Sequence, residues 1–579
     1  MKINYSLLFI VIYLLNHTVG YCQRYDFNWM LGYAGGLGDP RFGITKMNFN
    51  NGFPILSFIH KSKMYIYDAN ASFSDPNGEL LFYSNGYDIE DSDFNIMPNS
   101  SDLGIRYWEG LQSAQSLMFL PYPGWKDGTI LIYPNLRRAS TEFYVFDIRY
   151  LIINNKWNNG YGQVVERDQI ILNDTINEGE MTACKHANGR DWWILINELN
   201  SNKYYKILVD PNGIHVFDTI FIGDAVISGL GQSKFSSNGN IYASYQNISE
   251  SVGSFLYLYY FDRCSGSLDF ITSKHMGTKG LGGIEFSPNS KFLYYCNGLQ
   301  LFQFDLEESL LLDNQVMIDT ITDRYLPWGS AYFLQQLAPD GRIYISSAFG
   351  SDIMHVINKP NLKGEASIPT FNSFKLKSIN AGSIPNMPNY RLGPLDGSLC
   401  DTLGIDNIPW AHWRYNQDTL DYLTFEFTDL SAYEVEEWYW DFGDPNSPVG
   451  TSRDTNPIHT FSQNGVYEVC LIVKNKNGAD TLCRTITIGT VSTKGSDKKI
   501  LDIQVWPNPC KDFLIINVLD YNPQKMVLQI NNSIGELVLS KKLYQGSNSI
   551  EVEDLHSGIY FISILEKGKE IKSEKLIKL

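Results

Sequence analysis

Short apolar, aromatic-rich runs recur along the first two thirds of the chain, and each is reached through a tight polar turn. The turns and the runs after them read Asn77-Gly78-Glu79-Leu80-Leu81-Phe82, Asp127-Gly128-Thr129-Ile130-Leu131-Ile132 and Asn188-Gly189-Arg190-Asp191-Trp192-Trp193. They continue as Asn238-Gly239-Asn240-Ile241-Tyr242, Asn289-Ser290-Lys291-Phe292-Leu293-Tyr294 and Asp340-Gly341-Arg342-Ile343-Tyr344, at intervals of 50, 61, 50, 51 and 51 residues. Phe235-Ser236-Ser237, Phe286-Ser287-Pro288 and Leu337-Ala338-Pro339 precede the last three turns, so each unit reads strand, turn, strand, which makes one hairpin used six times. Asn-Gly and Asp-Gly suit type I′ turns, whose two central residues need positive φ. A period of ~50 residues with several strands per unit fits a propeller blade, since helical repeats would show 3.6-residue periodicity. Residues 25–395 leave room for seven such units, the first or last lacking the clear turn signature.

The pattern changes after Pro388-Asn389-Tyr390. In Trp438-Tyr439-Trp440-Asp441-Phe442-Gly443-Asp444, Trp440 and Phe442 alternate to one side of a strand, Gly443 permits a sharp turn, and Asp441 and Asp444 can accept the N–H groups the turn leaves unpaired. Tyr467, Val469, Leu471 and Val473 share one face of a later strand. Residues 489–499 (GTVSTKGSDKK) are small, polar and without apolar periodicity, which marks a flexible linker. Strand patterns resume from Ile500, with Pro507-Asn508-Pro509, Phe513 to Val518, Gly535, Gly558-Ile559-Tyr560 and a basic end containing Lys575 and Lys578.

These residues carry three resemblances. Ser74-Asp75-Pro76-Asn77-Gly78, His186-Ala187-Asn188-Gly189 and Leu337-Ala338-Pro339-Asp340-Gly341 resemble the WD-repeat-like propeller modules of secreted Bacteroidota proteins. Trp440, Asp441, Phe442, Gly443 and Asp444, with Asn456-Pro457-Ile458-His459-Thr460-Phe461, resemble the PKD domain, an immunoglobulin-like sandwich. Pro507, Asn508, Pro509, Gly535, Gly558, Tyr560, Lys575 and Lys578 resemble, in order and spacing, the type A C-terminal sorting domain of the type IX secretion system. The fold expected is therefore all-β: a seven-bladed β-propeller (25–395), a PKD-like sandwich (405–488), the linker, and a second immunoglobulin-like sandwich (500–579) that implies the type IX machinery as partner.

The N-terminus fits this route. Lys2 precedes Leu7 to Leu15, an apolar run of signal-peptide length, and residues 1–22 read as a signal peptide. No later stretch has 18 consecutive apolar residues, so no transmembrane helix is expected after its removal. The formal charge of −17, from 46 Lys+Arg and 63 Asp+Glu, argues against nucleic-acid binding. Of the 8 cysteines, Cys470 and Cys483 flank Asn475 to Gly478 symmetrically, so a hairpin with that turn would set them opposite each other and an exported chain could bridge them.

Catalytic chemistry has no motif here: there is no Gly-x-Ser-x-Gly, His-Glu-x-x-His, Walker loop or complete EF-hand loop. No catalytic residue, cofactor or metal site is expected. Asp88, Glu90, Asp91 and Asp93 form an acidic stretch, read as a solvated loop rather than a Ca²⁺ site, and His186 and Arg190 are read as fixing a turn. Asp-Thr-Ile or Asp-Thr-Leu at 174, 218, 319, 401, 418 and 480 resembles an O-glycosylation motif of exported proteins of this phylum. Three functions fit: a surface or secreted binding or adhesion protein with a propeller ligand face for a glycan or protein, a polysaccharide-active hydrolase or lyase with paired carboxylates near the axis, and a structural part of the envelope.

Overall fold

The computed structural model describes residues 23–578 apart from 34–38, 40, 104–110, 112, 140–141, 178, 227–229, 250–251, 278–280, 322–330, 349, 419, 490–502, 507–509, 512, 519–525, 533–535, 544–545 and 567–568. The described residues contain strands and two short 3-10 turns, and no α-helix. Seven antiparallel sheets follow one another from Asn28 to Asn380, the first two three-stranded and the next five four-stranded, with strands in sequence order. Burial falls from the axis outward. In the fourth sheet the inner strands Thr182–Lys185 and Trp192–Asn197 are buried throughout. The outer strand Gln163–Ile176 of the third sheet is largely exposed. Strands that are apolar on both faces belong at such an interior, and the sheets end outward in edge strands of up to 14 residues. The chain leaving the seventh sheet runs against the first: Ile379 N–H donates to Arg41 C=O (2.8 Å) and Ser378 Oγ lies 2.8 Å from Thr45 Oγ1.

The repeated turns differ from the type I′ expectation. Left-handed φ falls on the glycine alone, at Gly78, Gly189, Gly239 and Gly341, with Ser290 taking φ +60° in the same place; the preceding Asn or Asp is not left-handed. Gly239 N–H donates to Ser236 C=O (2.8 Å) and Gly341 N–H to Ala338 C=O (2.9 Å), a type I turn followed by a left-handed residue. The Asn or Asp serves a different purpose, as an acceptor. Asn238 Oδ1 accepts from Asn240 N–H and Asp340 Oδ1 from Arg342 N–H, both at 3.1 Å. A short side-chain acceptor that satisfies the N–H two residues on explains the residue type without positive φ. Asp127-Gly128 is not such a turn; Gly128 opens a strand and the positive φ sits on Gly124.

The next residues form two facing sheets, Trp413–Gln417 with Thr424–Asp429 and Ile458–Thr460, and Thr451–Ser452 with Glu437–Asp441, Gly465–Asn475 and Gly478–Ile488. Their core holds Trp413, Phe427, Trp440, Phe442, Tyr467, Val469, Leu471 and Val473. This sandwich and the seven sheets make one compact unit ending at Gly489, and Thr490–Leu579 make a second. The second unit has a three-stranded and a four-stranded sheet around Leu514, Ile516, Met526, Leu528, Ile562, Ile564 and Leu576.

Changing Gly189 to Ala forces a left-handed side chain whose Cβ would lie 2.7 Å from Pro394 Cδ, so Gly189→Ala should destabilise the protein by about 1–3 kcal/mol. Ser290→Gly, at the one repeat that lacks glycine, should gain up to about 1 kcal/mol. Urea unfolding of the two variants beside the parent checks both.

Candidate functional site

After the seventh sheet the chain does not leave the propeller. Residues 381–395 run irregularly along its axis, and Gly382 to Pro388 are buried. Buried backbone without a ladder must find other partners, and here the inner strands supply them. Asn386 N–H donates to Asn70 C=O (3.0 Å), and its Nδ2 donates to Leu117 C=O (3.0 Å) and Met181 C=O (2.9 Å). Tyr390 OH donates to Phe119 C=O (2.7 Å), Lys185 Nζ donates to Tyr390 C=O (2.9 Å), and Asn389 Nδ2 donates to Ser237 C=O (2.9 Å). Burial pushes the Lys185 ammonium down to about 7.

The segment emerges on the end of the propeller that carries the repeated turns. There Arg391 forms a two-pronged pair with Asp26 (2.5 and 2.8 Å), and Arg263 donates to the carbonyls of Lys185 (3.0 Å), His186 (3.4 Å) and Gly393. Cys264, in the fifth sheet, is disulfide-bonded to Cys400 in the connector, with Cα atoms 5.7 Å apart. The sandwich docks over the first and seventh sheets. Arg484 Nη2 donates to Asn50 C=O (3.4 Å) on the first, and on the seventh Arg414 Nε donates to Asp340 C=O (2.8 Å), Arg342 Nη2 to Asn416 Oδ1 (2.7 Å), and Lys359 pairs with Glu426 (2.7 Å).

Between these parts lies a cavity of about 480 Å³. One wall is formed by the turns and strand ends of the fifth to seventh sheets, including Phe235, Asn238 and Leu337. The axial segment supplies Arg391 and Leu392, and the sandwich loop from Asp429 to Glu434 closes the far side. Its inner charges are neutralised: Lys234 pairs with Glu285 (2.9 Å) and donates to Gln336 Oε1 (2.6 Å), while Glu285 also accepts Leu337 N–H (2.9 Å). Burial raises the Asp429 carboxyl above its ordinary range, and it accepts from Trp438 Nε1 (2.8 Å). A concave site of this size with amides, an aromatic ring and compensated charges suits a polar, uncharged ligand.

The residues singled out in the sequence have other places. Cys470 and Cys483 are cross-strand partners on the outward face of the sandwich, joined by a disulfide with Cα atoms 4.0 Å apart. Trp440 and Phe442 lie in the core; Asp441 Oδ1 accepts Gly443 N–H (2.9 Å) and Asp444 accepts Ser462 N–H (2.7 Å) and Ser462 Oγ (2.7 Å), so both carboxylates cap turns. Gly558 pairs with Lys578 and Phe561 with Lys575, and Tyr560 OH donates to His556 C=O (2.9 Å). Pro507, Asn508, Pro509, Gly535, the signal peptide and most of the linker lie outside the described residues.

The acidic stretch is not a solvated loop throughout, since Glu90 and Asp91 lie buried on the strand Ile89–Asp91. Glu90 accepts from Tyr83 OH, and Asp91 Oδ1 accepts the N–H groups of Asp93 (2.9 Å) and Asn95 (3.0 Å). Among the described residues no group of three or more His, Cys, Asp or Glu stands where it could hold a metal ion. His186 Nδ1 accepts Asn188 N–H (3.0 Å) and Arg190 pairs with Asp191 (2.7 Å), both within the turn. Of the Asp-Thr sites, Thr320, Thr402 and Thr481 are exposed, Thr175 and Thr219 half-buried, and Thr419 outside the described residues. The Cys264–Cys400 bridge and the axial path had no local signal, because both join residues far apart in the chain.

Comparison with known proteins identifies the two C-terminal parts. Residues 415–490 match the PKD domain and residues 504–579 the secretion system C-terminal sorting domain. A type IX sorting domain marks an exported protein, at the cell surface or secreted, and implies contact with that secretion system. Among the described residues no helix is long and apolar enough to cross a membrane. No curated protein matches the chain. Among solved structures, the PKD1 domain of Vibrio anguillarum Epp is similar at 23% identity over 14% of this chain and 95% of its own, with a TM-score of 0.13. A putative 6-phosphogluconolactonase from Bacteroides fragilis (13% identity, 62% of this chain and 98% of its own, TM-score 0.39) and the periplasmic gluconolactonase of Pseudomonas aeruginosa (11%, 62% and 97%, TM-score 0.38) are similar across the propeller. None of the three reaches a TM-score of 0.5, and the architecture rests on the strand topology described above.

Asn386→Ala would strip two axial carbonyls of their donor and should destabilise the protein by about 2–4 kcal/mol in chemical denaturation. A second expectation concerns acid. His355 Nδ1 accepts Asn372 N–H (3.1 Å) and Nε2 lies 3.0 Å from Ser347 Oγ, with the ring packed on Phe371. Burial pushes it down to about 3 from 6.5. The unfolded chain therefore takes up this proton below about pH 6.5 while the folded chain refuses it, so stability is full above that value and falls toward pH 3. At pH 5 the loss from this group is about 2 kcal/mol. A His355→Gln variant should lose that part of the slope when unfolding is followed across the range.

Proposed function

We propose that this exported protein is a non-enzymatic binding protein that holds a glycan or peptide in the cavity between the propeller turns and the sandwich. The observation that carries the reading is the wall of that cavity: propeller, axial segment and sandwich each contribute, and the Cys264–Cys400 disulfide fixes the connector. A preformed site on a rigid frame binds without the cost of ordering loops. The propeller axis, where a glycan-cleaving propeller would gather two carboxylates, is taken up by Gly382 to Pro388. Glu285 and Asp26, the acids on the inner cavity wall, are each committed to a cation.

The test is binding of the full-length protein to glycan and peptide arrays, with mass analysis of the bound ligand. The expected result is retention of an intact ligand, with affinity lowered at least about tenfold by Asn238→Trp or Ser431→Trp, which fill the cavity from opposite walls, measured well below each variant's own melting temperature. Release of shortened product, or binding untouched by both substitutions, would overturn the reading.

A further inference from the structure

The cavity between the propeller turns and the sandwich leaves some of its polar groups free and not others. Its inner charges are taken: Lys234 by Glu285, Arg391 by Asp26, and Arg263 by three backbone carbonyls. The side-chain amides at the turn rim are open. Asn238 Oδ1 accepts from Ser236 Oγ (2.7 Å) and Asn240 N–H (3.1 Å), but Asn238 Nδ2 and the whole Asn240 side-chain amide have no partner among the described residues. An amide that both donates and accepts suits hydroxyl groups, which do the same.

A peptide backbone finds little to pair with here. Extended peptides bind by adding to an open strand edge. On the inner strands, the N–H groups of Phe286 and Leu337 are taken by Glu285 (3.0 and 2.9 Å), and that of Ser233 by Gln115 (2.7 Å). Pro288, Pro339, Pro388 and Pro394, which have no N–H to offer, also line the cavity.

The sandwich contributes an aromatic ring through an unusual stretch of backbone. Tyr433 and Glu434 both take left-handed φ, +69° and +53°, although neither is glycine. Such residues are sparse, persist only where their surroundings hold them, and gather at ligand sites. Asn475 Nδ2 donates to Tyr433 C=O (3.1 Å), and Ala432 and Trp410 exchange N–H to C=O bonds (3.1 and 3.2 Å). The Tyr433 ring thereby reaches the axial segment, where a Cβ at Gly393 would lie 3.1 Å from its Cδ1. Phe235 borders the same cavity from the propeller. Apolar ring faces beside free amides match a sugar, whose ring has an apolar C–H face and an edge of hydroxyls.

We propose, resting on the reading of this cavity as the binding site, that its ligand is a short, uncharged oligosaccharide and not a peptide. Tyr433 is the ring on which the apolar face of a sugar packs, and Asn238 and Asn240 are its hydroxyl partners.

The full-length protein is screened in parallel against cello-, manno- and galacto-oligosaccharides, acidic oligogalacturonides, and uncharged peptides of similar length, and each binder is titrated by calorimetry. A neutral oligosaccharide should bind, with affinity almost unchanged when salt is raised from about 0.05 to 0.5 M, because no charge on the ligand is screened. Tyr433→Ala should weaken it about tenfold, Asn240→Ala about fivefold, and Tyr433→Phe, which keeps the ring, should bind more tightly than Tyr433→Ala. If Tyr433→Ala does not fold, Asn240→Ala, on an exposed turn, and Tyr433→Leu carry the test. Binding confined to peptides or oligogalacturonides and lost in Asn238→Trp would overturn the sugar class while the cavity stands as the site. Sugar binding undiminished by the Tyr433 and Asn240 substitutions would overturn the assigned contacts. Binding untouched by Asn238→Trp, or no binding of any probe, would overturn both this ligand and the cavity as its site.

Discussion

A stretch of backbone with no strand partner, held dry on the axis of a ring of sheets, is the constraint on which the rest of this structure depends. Each of its N–H and C=O groups must be met by something other than water. The sequence lowers the demand by placing Pro385 and Pro388 there, which carry no N–H, and meets the remainder with Asn386, Asn389 and Tyr390. Their partners lie in or beside the second to fifth sheets, so those sheets are joined through the segment as well as to their neighbours. Opening the ring among these sheets would expose those groups, and their unfolding is therefore coupled to release of the axial chain.

The place where that chain emerges decides where the sandwich can sit. It exits among the repeated turns, and Asp26, Arg263 and Cys264 fasten it there. Little slack is then left, and the sandwich is set down on the first and seventh sheets, where Arg484, Arg414 and Lys359 bind it. The cavity is the space left over between a sandwich loop and turns it does not reach. The sorting domain forms a second compact unit with its own core, consistent with an export signal that acts independently of the site.

Buried charges are distributed unevenly along the axis. At the turn end they occur as close pairs, Lys234 with Glu285 and Asp26 with Arg391, or as Arg263 ringed by carbonyls. Pairs of this kind repay most of their desolvation and fix which groups meet. At the far end Glu180 has no cation beside it, and its neighbours are neutral amides and hydroxyls.

Much of the fold could be read locally. A hairpin repeated at 50 or 51 residues needs only neighbouring residues to define it, and so does the alternation of Trp440 and Phe442 that marks the sandwich core. The symmetry of Cys470 and Cys483 about their turn works the same way, since a two-residue side-chain period fixes which residues face each other. Local reading failed in detail where two explanations shared one residue type: Asn before Gly suits a type I′ turn and also an acceptor for the N–H two residues on, and only the backbone angles separate them. What the sequence could not show is everything that joins distant segments. Gly382 to Pro388 look like any connector until the ring closes around them, and Cys264 and Cys400 are 136 residues apart. The cavity likewise exists only where separate parts of the chain converge. Periodicity and turn chemistry, which act over a few residues, determined the elements; burial and hydrogen-bond satisfaction, which act across space, decided where the sites are.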